Sequence, residues 1–352
     1  MIYVSLIVAF LASILLTPLV KRLAFRIGAV DAPNYRKVHA RIMPRLGGLA
    51  IYCAFIIGFI FLKLTTGFES KYAYAILIAA TIVVITGVID DMREISAKAK
   101  LLGQIIAACI VVFAGGIQIN EINLPFGGEP LAFGWLSIPL TILWIVGITN
   151  AINLIDGLDG LAAGVSTIAL VTLAAMAMLM GNGFVIAMAS ILAAASIGFL
   201  FYNFHPAKIF MGDTGALFLG FMISVFALLG FKNVTVISLI IPIIMLGVPI
   251  SDTFFAIVRR VRMKQKWSDP DKSHLHHRLL DLGFSHRQTV LLIYGIAIMF
   301  GLAAIIFSMA KVWGAILLIT VILVILELFV EIIGLAGKNY KPLLNLVRIF
   351  NK

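Results

Sequence analysis

Eleven apolar stretches, each long enough for a helix to cross the hydrocarbon core of a bilayer, constrain this chain more than any other feature. Their centres lie near Ala12, Phe55, Val83, Ile110, Leu143, Leu170, Leu192, Phe221, Met245, Met299 and Leu323. Backbone in lipid must satisfy its own hydrogen bonds, so apolar runs of about 17 to 25 residues predict helices and not open strands. Of 352 residues, 62% are hydrophobic and 12% charged, whereas soluble domains carry about 25% charged residues. One water-soluble core cannot absorb that apolar surface, which excludes a soluble globular enzyme and a disordered chain. Cys53 and Cys109, the only two cysteines, sit inside apolar runs and pack as small hydrophobes, which excludes a disulfide scaffold. The predicted fold is an all-α polytopic membrane protein of about eleven transmembrane helices, one membrane-embedded domain over residues 1–352.

The basic residues predict orientation. All but four of the 27 Lys and Arg fall on alternate loops starting with 21–45 and ending with the C-terminal tail; the exceptions are Lys63, Lys71, Lys232 and Lys311. The richer side reads as cytoplasmic. The first span has Lys21-Arg22 behind it and no basic residue ahead, so it is expected to be an uncleaved anchor with the N-terminus outside. The net charge of +11 thus reports topology and anionic membrane lipid, and calls for no nucleic acid.

The acids are more informative. All ten Asp lie on, or at a span end facing, this basic side, a bias the positive-inside rule does not explain. Asp90, Asp91, Asp156, Asp159 and Asp213 stand where apolar runs meet short inner loops. One such charge at the membrane centre costs about 2.5–3.5 kcal/mol on insertion scales. Boundary placement lowers that cost, and cations that neutralise the cluster explain it best.

Three constellations carry the chemistry. Asp90-Asp91 ends an apolar helix and is followed by Arg93, Lys98 and Lys100; neighbouring helical side chains diverge by about 100°, so one carboxylate faces a cation and the other a neighbouring loop. Asn153, Asp156 and Asp159 are spaced by three, which on a helical turn puts them on one face, with Gly157 and Gly160 permitting close approach of a phosphate or sugar. The segment 203–215 places Asn203, Phe210 and Asp213 in one short loop; Asp213 with Thr214 also suits the cap of the eighth span. Oxygen donors of this kind select a hard cation, Mg²⁺ or Mn²⁺, which binds carboxylates together with substrate phosphates. Neither phosphate-loop nor dinucleotide glycine motifs are present.

The largest inner loop, 259–288, holds His274, His276, His277 and Arg278, a set suited to gripping a diphosphate or an amide sugar. Residues 274–282 predict a short helix stopped by Gly283, and Ser285 with Gln288 a capping box opening the next span. The outer segment 115–134 predicts a small β-hairpin. The tail from Pro342, with Leu343, Leu344, Val347 and Phe350 on one side, suits the inner membrane surface.

These motifs, in this order and on one side, resemble the polyprenyl-phosphate N-acetylhexosamine-1-phosphate transferases over nearly the whole chain, including Pro44-Arg45-Leu46-Gly47-Gly48 before the second span. The His-Leu-His-His loop, Arg36-Lys37-Val38-His39 and Asp271-Lys272-Ser273-His274 are similar to the TagO/WecA branch, and less so to the muramoyl-pentapeptide branch with its run of consecutive histidines. The resemblance implies a multi-pass enzyme of the bacterial plasma membrane. Its implied substrates are UDP-GlcNAc and undecaprenyl phosphate, with Mg²⁺ as cofactor and UMP plus undecaprenyl-diphospho-GlcNAc as products. The reaction would be the first membrane step of teichoic acid or related envelope polysaccharide synthesis. A homodimer is compatible with it.

Carried over by residue, Asp213 matches the family's main metal ligand and Asn153 a metal and pyrophosphate contact. Asp90 or Asp91 matches an acid often described as acting on the lipid phosphate. Asp156 and Asp159 match positions implicated in activity and nucleotide binding, Phe210 the ring that stacks on uracil with Asn203 nearby, and Lys100 a basic active-site position. Arg93 and Glu94 stand where some members carry Lys, so that position receives no role. Direct attack and a two-step route through an aspartyl-phosphate both remain open.

Two rival readings differ in class. Asp156-Gly157-Leu158-Asp159-Gly160 begins like the CDP-alcohol phosphotransferase signature, but Gly164 stands where Arg is required. An ion-coupled transporter would use intramembrane aspartates; Asp252, beside Pro249, suits it, though Asp252 also lies in sequence reach of Arg259 as an ion partner.

Overall fold

The computed structural model describes residues 1–31, 42–122, 131–230, 236–262, 274–335 and 340–345. It divides into two compact units, Met1–Val236 and Ile237–Lys352. Unit one contains α1 (Ile2–Ile27), α2 (Gly47–Thr66), α3 (Ala73–Arg93), α4 (Ala97–Phe113), α5 (Ser137–Leu154), α6 (Leu161–Leu179), α7 (Gly183–Asn203) and α8 (Gly212–Gly230). The second contains α9 (Val236–Met245, starting at the unit boundary), α10 (Gly247–Arg262), α11 (Leu275–Asp281), α12 (His286–Met309) and α13 (Val312–Ile333).

Among the described residues, nine helices are long and apolar enough to cross a membrane. Every predicted centre except Met245 falls well inside one helix. α4 carries the Ile110 centre on 17 residues. The stretch centred on Met245 is cut instead into α9 and α10. The cause is local: Pro249 has no N–H to give the carbonyl four residues before it, that of Met245, so the helix restarts at Gly247.

Unit one is built around α8, whose residues are nearly all buried and which packs on α2, α3, α5 and α6. α1 buries only one stripe of small residues, among them Ser5, Ala9, Ser13 and Thr17, against α2 and α7, and exposes Ile7, Leu11, Leu15 and Leu19 as a lipid-facing helix should. Helices start where the side chains dictate: the Ser96 hydroxyl accepts the Ala99 N–H and the Asn182 amide oxygen accepts the Val185 N–H.

Two short antiparallel pairs complete this unit: β1 (Val30–Asp31) with β2 (Met43–Pro44), and β3 (Glu121–Ile122) with β4 (Leu131–Ala132). The second lies where a hairpin is expected, although residues 123–130, with Leu124 and Gly127-Gly128, fall outside the described residues.

One end of unit one is held together by backbone contact. The N–H groups of Gly47 and Gly48 donate to the carbonyls of Phe210 and Met211 at 3.0 and 2.8 Å, and the Phe210 N–H donates to Pro44 at 2.8 Å. A Cβ on Gly48 would stand 2.0 Å from the Gly215 nitrogen, and one on Gly87 2.5 Å from the Thr214 Cα. The start of α2, the end of α3 and the start of α8 therefore touch backbone to backbone, which any larger side chain would prevent. The ends of α4 and α5 that carry Lys100 and Asn153 reach the same place through side chains.

In the second unit, α11 followed by Gly283 at φ +94° and the reciprocal Ser285–Gln288 capping box opening α12 are as expected. Both Leu343 and Leu344 donate backbone N–H groups to the buried Glu331 carboxylate at 2.6 and 2.8 Å, which pins the start of the tail. Residues 346–352, the Arg36–His39 segment and Asp271–Ser273 lie outside the described residues.

Candidate active site

Asp213 is the hub. It occupies the first turn of α8; its Oδ1 accepts the Asn153 Nδ2–H at 2.8 Å, and its Oδ2 pairs with the Lys100 ammonium. The same ammonium lies 2.8 Å from Asp90 Oδ2. Residues from α3, α4, α5 and α8 are thus joined: Asn153 and Lys100 both meet the Asp213 carboxylate, and the Lys100 ammonium bridges it to Asp90.

Asp91, the neighbour of Asp90, turns elsewhere, as the roughly 100° divergence requires. It is buried, and both its oxygens are taken by the beginning of α8: Oδ1 by the Asp213 N–H at 2.9 Å, Oδ2 by the Thr214 N–H at 3.0 Å and the Thr214 hydroxyl at 2.7 Å. These N–H groups have no partner inside their own helix, so a carboxylate borrowed from α3 satisfies them. Asp213 and Thr214 are capped; they are not the caps. Gly212, at φ +71° with a virtual Cβ 2.5 Å from Asp91 Oδ2, is the residue that lets this carboxylate in.

Arg45 closes the same side, with Nη2 3.7 Å from Asp91 Oδ1 and Nη1 3.9 Å from both Asp31 and Glu94. Burial works against its charge, but the carboxylates of Asp91, Asp213, Asp31 and Asp156 outweigh it and raise its pKa. Arg45 was visible in sequence only as part of the Pro-Arg-Leu-Gly-Gly segment. A second polar pair missed there is Gln104 with Asn150, whose side-chain amides exchange hydrogen bonds at 2.6 and 3.3 Å between α4 and α5.

The Asn153–Asp156–Asp159 series does not share one helical face. α5 ends at Leu154, and Gly160 takes φ +76° before α6 begins, so the three acceptors fan out. Asn153 meets Asp213. Asp156 sits in the turn, where burial first, then the charges of Asp213 and Asp91, push it up to about 8. Asp159 Oδ2 meets His205 Nδ1 at 2.8 Å and the Ala207 N–H at 3.0 Å, holding the loop that follows α7. Asn203 is buried at the end of α7, its Nδ2–H donating to the Ile209 carbonyl of that loop at 2.9 Å. Phe210 is half-buried, with its backbone tied to the 44–47 segment.

Taken by itself, the second unit gathers the histidines. His274 immediately precedes α11, and its ring lies parallel to that of His276 at 6.0 Å, with His277 4.2 Å beyond. Burial, reinforced by His277, pushes His276 down to about 3, so it is neutral at physiological pH. Arg278 follows on the same helix, partly exposed. Asp252 receives His274 Nδ1 at 2.8 Å and the Leu275 N–H at 2.8 Å.

The hub fits a hard divalent cation. Its donors are carboxylate and amide oxygens from Asp213, Asn153 and Asp90, and an ammonium already lies against two of them.

The model of glycosyl transferase family 4 matches residues 73–231, the stretch that carries all these hub residues. The chain is 49% identical over 342 residues, 97% of this chain and 94% of the relative, to the "probable undecaprenyl-phosphate N-acetylglucosaminyl 1-phosphate transferase" of Bacillus subtilis. It is 35% identical over 354 residues, 92% and 87% of the two chains, to the decaprenyl-phosphate N-acetylglucosaminephosphotransferase of Mycobacterium tuberculosis. It is 30% identical over 320 residues, 86% and 95%, to the phospho-N-acetylmuramoyl-pentapeptide-transferase of Halalkalibacterium halodurans. The apolar helices, the acids gathered at one end of a bundle and relatives that match over most of their length agree: the chain belongs to the polyprenyl-phosphate N-acetylhexosamine-1-phosphate transferase family.

Proposed function

We propose that this protein transfers GlcNAc-1-phosphate from UDP-GlcNAc to undecaprenyl phosphate, releasing UMP, at the cytoplasmic face of a bacterial plasma membrane. The observation that carries the reading is the junction of Asp90, Lys100, Asn153 and Asp213 at one end of an apolar bundle, where a lipid phosphate and a water-soluble nucleotide can both arrive. The names of the relatives support a polyprenyl phosphate acceptor and transfer of N-acetylglucosaminyl 1-phosphate, UDP-GlcNAc follows as the donor for such a transfer, and the basic residues on the acid-bearing side support the orientation. Counting α4 as one crossing and α9 with α10 as another brings the nine long helices to eleven, with the N-terminus outside.

In the reaction an oxygen of the lipid phosphate attacks the sugar-linked phosphorus of UDP-GlcNAc. The new P–O bond forms as the bond to UMP breaks, and UMP leaves with the electron pair. A phosphate monoester has a second pKa near about 6, so the nucleophile is already mostly dianionic and needs little help from a base. The difficulty is repulsion between two anions. Mg²⁺, held by Asp213 and Asn153, would supply positive charge to the phosphoryl oxygens. Lys100 adds a fixed cation beside it and keeps Asp90 and Asp213 from repelling each other. We assign Asp91 to positioning, because its oxygens are engaged by α8. Asp159 holds the loop that presents Phe210 to the uracil, with Asn203 closing that loop. The histidine turn and Arg278 are assigned to the anionic substrate.

The test is direct. Purified protein with sugar-labelled UDP-GlcNAc, undecaprenyl phosphate and Mg²⁺ should move label into butanol, and EDTA should stop it. Label that stays in water with folded protein contradicts the reading and favours a transporter.

A further inference from the structure

A carboxylate buried in an apolar helix is costly unless it is engaged, and Asp252 on α10, 1% exposed, is engaged at two points. Its Oδ2 faces His274 Nδ1 and its Oδ1 accepts the Leu275 N–H, each at 2.8 Å. An ionised carboxylate can only accept. The ring proton therefore sits on Nδ1, and Nε2 is the nitrogen that Asp252 leaves for another partner. His276 is buried and lies parallel to His274 with ring centroids 6.0 Å apart. The carboxylate thus sets the tautomer of one histidine and the direction of its Nδ1 at the entrance to α11.

We propose that Asp252 is a positioning residue for the transfer reaction, fixing the tautomer and direction of His274, the ring assigned above to the anionic substrate, so that Nε2 is the nitrogen left for the nucleotide sugar. The proposal rests on the transferase reading above. A plain helix cap would use the Leu275 contact alone, and the two roles separate cleanly on substitution. Asn is as good a cap as Asp, so Asp252→Asn keeps its oxygen on the Leu275 N–H. Its amide then donates to His274 Nδ1, which turns that nitrogen into an acceptor and moves the ring proton to Nε2.

The experiment compares wild type, Asp252→Asn, His274→Ala and the double variant in lipid nanodiscs. Asp252→Asn should lower kcat/KM for UDP-GlcNAc by about 10–100-fold, the usual cost of losing a group that orients a ligating histidine. Its thermal midpoint and its KM for undecaprenyl phosphate should stay at wild-type values. The double variant should be no slower than His274→Ala, because Asp252 acts through that ring. Histidine ¹⁵N spectra should place the His274 proton on Nδ1 in wild type and on Nε2 in Asp252→Asn. Full activity of Asp252→Asn, losses that add in the double variant, or a wild-type proton on Nε2 overturns the proposal. Absence of transfer by the wild type would overturn the functional reading, and the spectra would still decide whether Asp252 sets the tautomer.

Discussion

Asp213→Asn is expected to leave a folded, correctly inserted protein whose transfer rate is lower by about 10³-fold or more, the upper range for deleting one charged stabiliser of a transition state. The fold survives because the start of α8 is satisfied by Asp91 through the backbone of residues 213 and 214, which the substitution does not touch. The chemistry fails because Asn offers one oxygen where two are in use, and its amide hydrogens face either the Lys100 ammonium or the Asn153 Nδ2–H. The site loses the charge that makes it attractive to a divalent cation. Rates at saturating substrates, with a thermal scan on the same samples, check both halves. A variant retaining a tenth of wild-type activity would remove Asp213 from the centre of the mechanism.

Asp91→Asn should fail differently, losing stability and activity together. An asparagine there can still accept from Thr214, but its amide group then opposes the Asp213 N–H, donor against donor. Arg45 also loses its buried carboxylate partner. Each unsatisfied buried group costs about 1–3 kcal/mol, so the thermal midpoint should fall. The first turn of α8 should shift, carrying Asp213 with it; displacement of about 1 Å at a reacting centre costs roughly 10²-fold in rate. A dead enzyme with an unchanged midpoint would instead place Asp91 among the groups that touch substrate.

The contrast between these neighbours shows what the sequence could and could not disclose. The apolar helices are legible because bilayer thickness sets the length that a crossing needs. The identity of the acids is legible because charge at a membrane boundary needs a reason. Their division of labour is not, since Asp91 finds its partner 122 residues later and nothing local marks that meeting. Arg45 was equally hidden, its carboxylate partners being spread over Asp31, Asp91 and Glu94. The even spacing of Asn153, Asp156 and Asp159 misleads because Gly157 and Gly160 end the helix on which that spacing would have meaning. The break at Met245–Gly247 was written in Pro242 and Pro249, but prolines are common inside membrane helices and only the interrupted carbonyl shows which one stops this helix.

The central claim is that acids from separate helices, gathered through Asp213, create one site for a divalent cation. Mn²⁺ titrated into nanodisc-embedded protein and followed by electron paramagnetic resonance tests it most directly. The account predicts one bound Mn²⁺ per chain in wild type, competed by Mg²⁺, and none in folded Asp213→Asn. Equal Mn²⁺ binding by the two proteins would contradict it.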